Sequence, residues 1–199
     1  MTVPAGSEAF DPKSLSFRDS FETRRLLIRA PRTGDGADLC AAIRESLEEL
    51  RPWMAFAQTE PDPKSSEKVT RLGRDEFKQR TDLPLRLYDR ETGGFVGCSG
   101  LHRIDWSLRR FEIGYWIRTS CAGMGYMTEA VNGIVDWAAA ELGANRLEIR
   151  CSGRNRRSAA VAERCGFVFE GVLRRNQKSP AGGWEDTRIY AKVRGAEFG

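Results

Sequence analysis

The chain contains no run of eighteen apolar residues, so no membrane-spanning helix is expected. Its start, MTVPAGSEAFDPK, has no apolar stretch behind a basic opening, which argues against a signal peptide. No CxxC pair occurs. The five cysteines (Cys40, Cys98, Cys121, Cys151, Cys165) are odd in number and widely spaced, so free thiols are the simplest reading and no metal site is expected. Free thiols fit a reducing compartment, and a cytoplasmic location is expected. Internal repeats and low-complexity segments are absent. The net charge of +4 is too small to argue direct nucleic-acid binding, although it suits an anionic ligand or ribosomal surroundings.

What is present is ordinary globular material: 40% hydrophobic and 30% charged residues in 199, enough for one domain with a real core. Residues 1–20 carry Pro, Gly and Ser and few large apolar side chains, and read as a poorly packed, flexible extension. RRLLIRAP (24–31) is a short strand ended by Pro31. A helix is expected over 33–50, capped by Asp35 or Thr33, with Leu39, Ile43, Leu47 and Leu50 at helical spacing. An aromatic loop, RPWMAFA (51–57), leads to a charged amphipathic helix over 62–80. Three strands follow, over 83–91, 94–105 and 109–118, as an antiparallel meander. A helix over 126–142 closes at Gly143, and then come a strand at 145–152, a short helix at 156–167 and closing strands at 167–175 and 184–193. The order is mixed α/β. The domain is expected over 21–194, with 195–199 as a tail.

One stretch carries chemistry. In SCAGMGYMTEAV (120–131), Gly123 and Gly125 stand directly before a helix. The first N–H groups of a helix lack internal partners and mark the positive end of its dipole. Glycine lets such a backbone approach a bulky anion without a Cβ between them. The layout suits a pyrophosphate cradle. A plain strand-to-helix turn needs the same glycines, and both readings stand here. No Gly-Lys-Ser/Thr follows, and the third glycine of a dinucleotide fingerprint is missing.

Read together, FEIGYWI, AGMGYMTEAV, NRLEIRCSGRNRRSAAVAERCGFVFEGVLRR and DTRIYAKV resemble the GCN5-related N-acetyltransferase superfamily, and within it the RimJ/RimL-like branch of ribosomal-protein N-terminal acetyltransferases. ETRRLLIRAP and EELRPWMAFA are similar to that branch as well. The resemblance implies a mostly antiparallel mixed sheet flanked by helices, splayed between the fourth and fifth predicted strands (109–118 and 145–152). It implies acetyl-coenzyme A as acyl donor, and an acetyl transfer to a primary amine by direct attack on the thioester. Ile117 and Thr119 would contact the cofactor from the strand end. Gly123, Met124, Gly125, Tyr126 and Met127 would cradle its pyrophosphate. Asn155 would meet the pantetheine, and Ser158 would stand near the sulfur and assist departure of the thiolate. Ala122 departs from the Gln or Arg usual at its position, which implies weaker cofactor binding. Asn155 also suits a cap for the helix behind it.

The attacking amine must lose a proton, and Glu112 is the first candidate to receive it. Gln177 stands where some relatives carry an acid, and glutamine cannot act as a base. Glu170 reads as structural, and His102, the lone histidine, ranks below Glu112. The acceptor is expected to meet Trp53, Tyr115 and Trp184, with Met54, Phe56 and Trp116 nearby. Its most fitting chemistry is the α-amine of a protein or peptide N-terminus. A small amine, or a degenerate coenzyme A sensor without turnover, is the alternative. No membrane partner is expected, and the chain reads as a monomer or homodimer.

Overall fold

A computed structural model describes residues 10–199. Eight strands form one sheet in the order β1-β2-β3-β4-β5-β6-β8-β7. They are β1 (Ser20–Glu22), β2 (Leu26–Arg29), β3 (Leu83–Asp89), β4 (Phe95–Asp105), β5 (Arg110–Ile117), β6 (Arg146–Ser152), β7 (Val168–Lys178) and β8 (Trp184–Val193). Helices α1 (Gly36–Glu45), α2 (Leu47–Leu50) and α3 (Pro63–Gln79) precede β3. Helix α4 (Tyr126–Glu141) joins β5 to β6, and α5 (Arg156–Arg164) joins β6 to β7.

The sheet alternates cleanly on β3. Leu83, Leu85 and Leu87 are buried with Val131 and Ile134 of α4 in the main core. Pro84, Arg86 and Tyr88, one residue out of phase, turn to the other face. Tyr88 there joins a second cluster with Leu39 and Ile43 of α1. The sheet is therefore covered on both faces.

Every strand pair is antiparallel except β5 with β6. That parallel pair matches Arg110–Glu112 to Arg146–Glu148 and then stops. Strand β5 runs on to Ile117, held by β4, while β6 runs on to Ser152, held by β8. Each strand follows its outer neighbour, and a wedge opens between them. This is the splay expected between the fourth and fifth predicted strands, renumbered by the unforeseen β1.

Three expectations need correction. The helix over 33–50 divides at Ser46, whose φ of −107° and ψ of 11° break the helix; its buried hydroxyl accepts from the Thr119 N–H at 2.9 Å. Asp35 precedes α1 but forms no side-chain cap. Its carboxylate instead takes both ends of the Arg29 guanidinium, at 2.8 Å each, and burial would penalise either charge alone. The extension expected over 1–20 is packed in its described part, while residues 1–9 lie outside the described residues. Phe17 meets Phe77 and Trp137 edge-on, Arg80 lies 3.8 Å from its ring centroid, and Ser20–Glu22 add a strand to β2. Phe17→Ala should therefore lower stability by about 2 kcal/mol, since a packed aromatic is lost. The melting temperature should fall by about 4–8 °C. An unchanged melt would show that the segment only rests on the domain.

Candidate active site

The wedge between β5 and β6 is a cleft of about 580 Å³, walled by Glu112, Tyr115, Met127, Asn155, Ser158 and Glu185 among others. One strand edge in it is unpaired. The Arg118 N–H donates to the Val96 carbonyl on the β4 side. By alternation, the backbone groups of Ile117 and Tyr115 turn to the open side, while the Ile113 N–H still serves the last β5–β6 bridge. A ligand with amides along its length can extend the sheet there.

The cleft reaches the first turn of α4 at Met127, and the glycine turn stands just before it; Gly125 itself borders a separate cavity with Thr128 and Arg164. Gly123 and Gly125 both have φ of 79°, a conformation costly for residues with a Cβ. Gly125 is the N-cap of α4 and brings no side-chain cap, so the first-turn N–H groups of Tyr126 and Met127 stay open to a ligand. A Cβ on Gly123 would meet nothing within 4 Å, and one on Gly125 only Arg25 Nη2 at 3.5 Å. The turn is thus an uncovered concavity at a helix N-terminus, which fits a pyrophosphate. Arg25 reinforces it: Nη1 donates to the Met124 carbonyl at 3.0 Å, and the guanidinium lies 4.4 Å from the Tyr126 ring centroid. Arg164 also reaches the first turn, donating to Thr128 Oγ1 at 3.3 Å. Neither cation stands out in the sequence, because the fold carries them to the turn from other elements. The Tyr126 hydroxyl donates to Asp89 at 2.6 Å and, with Thr92, holds that carboxyl down to about 2. Met127 is buried in the core as well as lining the cleft.

Thr119 is a correction. Its N–H goes to Ser46, its carbonyl accepts from Ala122, and its hydroxyl donates to Glu49 at 3.1 Å. Its backbone is committed within the protein, whereas the backbone of Ile117 turns to the open side of the strand.

Across the cleft, Asn155 Oδ1 accepts from the Ser158 N–H at 3.0 Å, so the capping role is real; the residue also borders the cleft. Ser158 Oγ donates to the Tyr115 hydroxyl at 3.2 Å, and that hydroxyl donates to the Ser158 carbonyl at 2.9 Å. Burial drives the Tyr115 pKa far above its ordinary value, so the phenol stays protonated. Tyr115, expected at the acceptor, is thereby bound to Ser158 and offers a second O–H beside it.

Glu112 is the last residue of β5 to pair with β6, which puts it at the apex of the wedge. Its Oε2 is buried without a hydrogen bond, 3.3 Å from Arg103 Nε and 3.9 Å from Arg150 Nε. Burial raises its pKa, and the two guanidinium groups oppose the rise. Its partners are thus Arg103 of β4 and Arg150 of β6. Gln177 borders the cleft, and opposite it on β8 stands Glu185, a buried carboxylate that Arg154 Nε meets at 3.0 Å. Sequence pattern gave no signal for Glu185, because only the β7–β8 register brings it there. Glu170 binds Arg146 at 2.8 Å, a structural ion pair. His102 holds Asp82 through Nδ1 at 2.8 and 2.9 Å. A Cβ on Gly114 would lie 2.8 Å from the His102 ring, which explains a glycine in mid-strand.

Of the aromatic residues expected at the acceptor, Trp53 borders the cleft with Met54. Phe56 and Trp116 pack together at 6.0 Å between centroids and border a neighbouring cavity. Trp184 lies outside both cavities; it is 59% exposed, with Lys178 Nζ 3.8 Å from its ring centroid. The five cysteines are free. Among the described residues, no helix is long and apolar enough to cross a membrane.

The family model of the acetyltransferase (GNAT) domain matches residues 25–168. The chain belongs to this family of acetyl-coenzyme A-dependent N-acetyltransferases. It is 33% identical over 153 residues to the ribosomal N-acetyltransferase YdaF of Bacillus subtilis, covering 75% of this chain and 81% of the relative. It is 27% identical over 147 residues to the ribosomal-protein-serine acetyltransferase of Escherichia coli, covering 74% and 79%. Mycobacterium smegmatis RimJ, solved with a coenzyme A disulfide, superposes with a TM-score of 0.74 at 26% identity, over 85% of this chain and 82% of that one. RimL in complex with coenzyme A superposes with a TM-score of 0.80 at 19% identity, over 86% and 95%, a likeness of fold.

Proposed function

We propose that this enzyme acetylates the α-amine of a protein or peptide N-terminus, of the ribosomal-protein type. The observation that carries the reading is a cleft that holds an unpaired strand edge and the Ser158–Tyr115 hydroxyl pair and reaches the first turn of α4 at Met127, directly behind the open glycine turn. The names of the two curated relatives support the acceptor class. Gly123, Gly125 and the first-turn N–H groups of α4 would hold the pyrophosphate, with Arg25 beside it. Ile117 and Asn155 would hold the pantetheine.

Bound acetyl-coenzyme A supplies an acyl carbon activated by a thiol leaving group. Glu112 takes the proton lost as the amine nitrogen bonds to that carbon, directly or through a water. Ser158, backed by Tyr115, gives its hydroxyl proton to the sulfur as the carbon–sulfur bond breaks and regains one from solvent, to which Glu112 releases the proton it took. Glu112 works only when ionised, and its pKa is raised. The rate should therefore fall on the acid side at a pH above the ordinary carboxylate value of 4.5. The same shift has a stability sign. The folded state holds the proton more tightly, so the contribution of Glu112 is full below its unfolded pKa and is lost as pH rises through the folded one.

Glu112→Gln should spare cofactor affinity and cut turnover. An α-amine titrates near about 8 and a lysine amine near about 10.4, so the cut should be modest for the first and severe for the second. Full activity on both, across pH, would leave Glu112 a structural carboxylate. The acceptor class is tested by thiol release from acetyl-coenzyme A with three acceptors: a peptide with a free α-amine, the same peptide blocked there but carrying lysine, and a polyamine. The free α-amine should give the highest kcat/KM. A polyamine preference would overturn the acceptor class, and binding with no turnover on any amine would favour the sensor.

A further inference from the structure

The cavity next to the cleft, about 620 Å³, lies between the sheet and helices α1 and α3. It meets the cleft along Gly114, Tyr115 and Trp116, which border both. Its walls are largely apolar, with Leu39, Ile43, Phe56 and Val69 among them. On this wall stands Arg86, 5% exposed.

Two guanidinium-bearing residues are buried among the described residues, Arg29 and Arg86, and they differ. Arg29 is closed off by Asp35. Arg86 has no carboxylate within 4.0 Å: its Nη1 donates to Cys98 Sγ at 3.3 Å and its Nε has no partner. Arginine remains charged at any pH the protein meets. A buried cation without a counter-charge destabilises the fold, and removing the charge is the simplest relief. Its retention at a cavity wall is explained if a ligand brings the anion.

We propose that Arg86 binds a carboxylate of the acceptor, so that the substrate is an amine carrying an acidic group at short range. This rests on the acceptor reading above and narrows it. Arg86 lies opposite Cys98, and Cys98 opposite Trp116, so Arg86 is two strands from β5, or about 10 Å across the sheet. An N-terminal peptide entering along Gly114–Trp116 covers that distance with an aspartate or glutamate at its second or third position. Glu60 and Asp62 also border the cavity. Glu60 is paired with Arg44 at 3.2 Å and Asp62 caps α3, so neither closes off Arg86, and their charge disfavours a phosphate dianion more than a single carboxylate.

The test compares peptides that differ only by Glu or Gln at positions two to four, with a phosphoserine peptide as a further arm, against wild type, Arg86→Met and Arg86→Lys. Wild type should favour one glutamate peptide over its glutamine twin by at least tenfold in kcat/KM, chiefly through KM. Arg86→Met should lose the preference and keep its rate on the neutral peptide. Without ligand it should melt no lower than wild type, since an uncompensated charge has gone. Arg86→Lys should retain part of the preference. Equal kcat/KM for every pair in wild type would overturn the proposal while acetylation of the peptides upheld the acceptor class. A preference that survives in Arg86→Met, or a clear drop in its melting temperature, would make Arg86 structural. Stronger turnover of the phosphoserine peptide would overturn the carboxylate assignment. Absence of transfer to any peptide, neutral ones included, would remove the acceptor reading itself.

Discussion

Gly125→Val should weaken coenzyme A binding by well over tenfold, a loss of more than about 1.4 kcal/mol. Two costs add. At φ of 79° a β-branched side chain strains the backbone at the N-cap of α4. Its methyl groups would also fill the concavity in front of the Tyr126 and Met127 N–H groups, where an anion must approach. The Arg25 guanidinium, 3.5 Å from the Cβ position, would be displaced as well. A melt recorded alongside separates lost binding from lost fold. Titration calorimetry that returned wild-type affinity would mean that the pyrophosphate sits elsewhere.

Ser158→Ala should lower turnover by roughly ten- to a thousandfold while changing cofactor affinity far less, because its hydroxyl is needed only as the thiolate forms. The structure adds a partner to this expectation. Tyr115 and Ser158 share hydrogen bonds at 2.9 and 3.2 Å, so they act as a unit. Tyr115→Phe should be harmful alone, and the double variant should cost less than the product of the single effects. Strict multiplicativity would show that the two hydroxyls work apart. A wild-type rate in Ser158→Ala would pass the proton transfer to Tyr115 or to water.

The parts of the site that were legible in the sequence are those whose cause is local. Gly123 and Gly125 announce a backbone requirement within the turn itself, and Asn155 announces a cap within its own helix. The leucines of β3 show their face by alternation. What stayed hidden depends on distant pairings. Ser46 looks like a mid-helix residue until Thr119, far along the chain, is seen to donate to its hydroxyl. Phe17 sits in a segment of turn-like composition, and only the juxtaposed Phe77 and Trp137 make it a packing residue. Arg86 reads as one more charge in LPLRLYDRE; its burial and its missing counter-ion are properties of two neighbouring strands and two helices. Glu185 owes its place to strand register, as does the pairing of Tyr115 with Ser158, and a shift of one residue would turn either side chain away from the cleft. Trp184, expected at the acceptor, lies outside both cavities for the converse reason, since an aromatic near a hairpin carries no sign of which side it will face.

The location of the cofactor is the central claim, and hydrogen–deuterium exchange with and without acetyl-coenzyme A tests it most directly. Slower exchange is expected at the β5 edge, 115–117, and through the glycine turn into the first turn of α4, 123–128, where free N–H groups would gain partners. Exchange across α1 and α3 should stay as it was. Protection confined to those helices, with the glycine turn unchanged, would contradict the placement of the active site in the β5–β6 cleft.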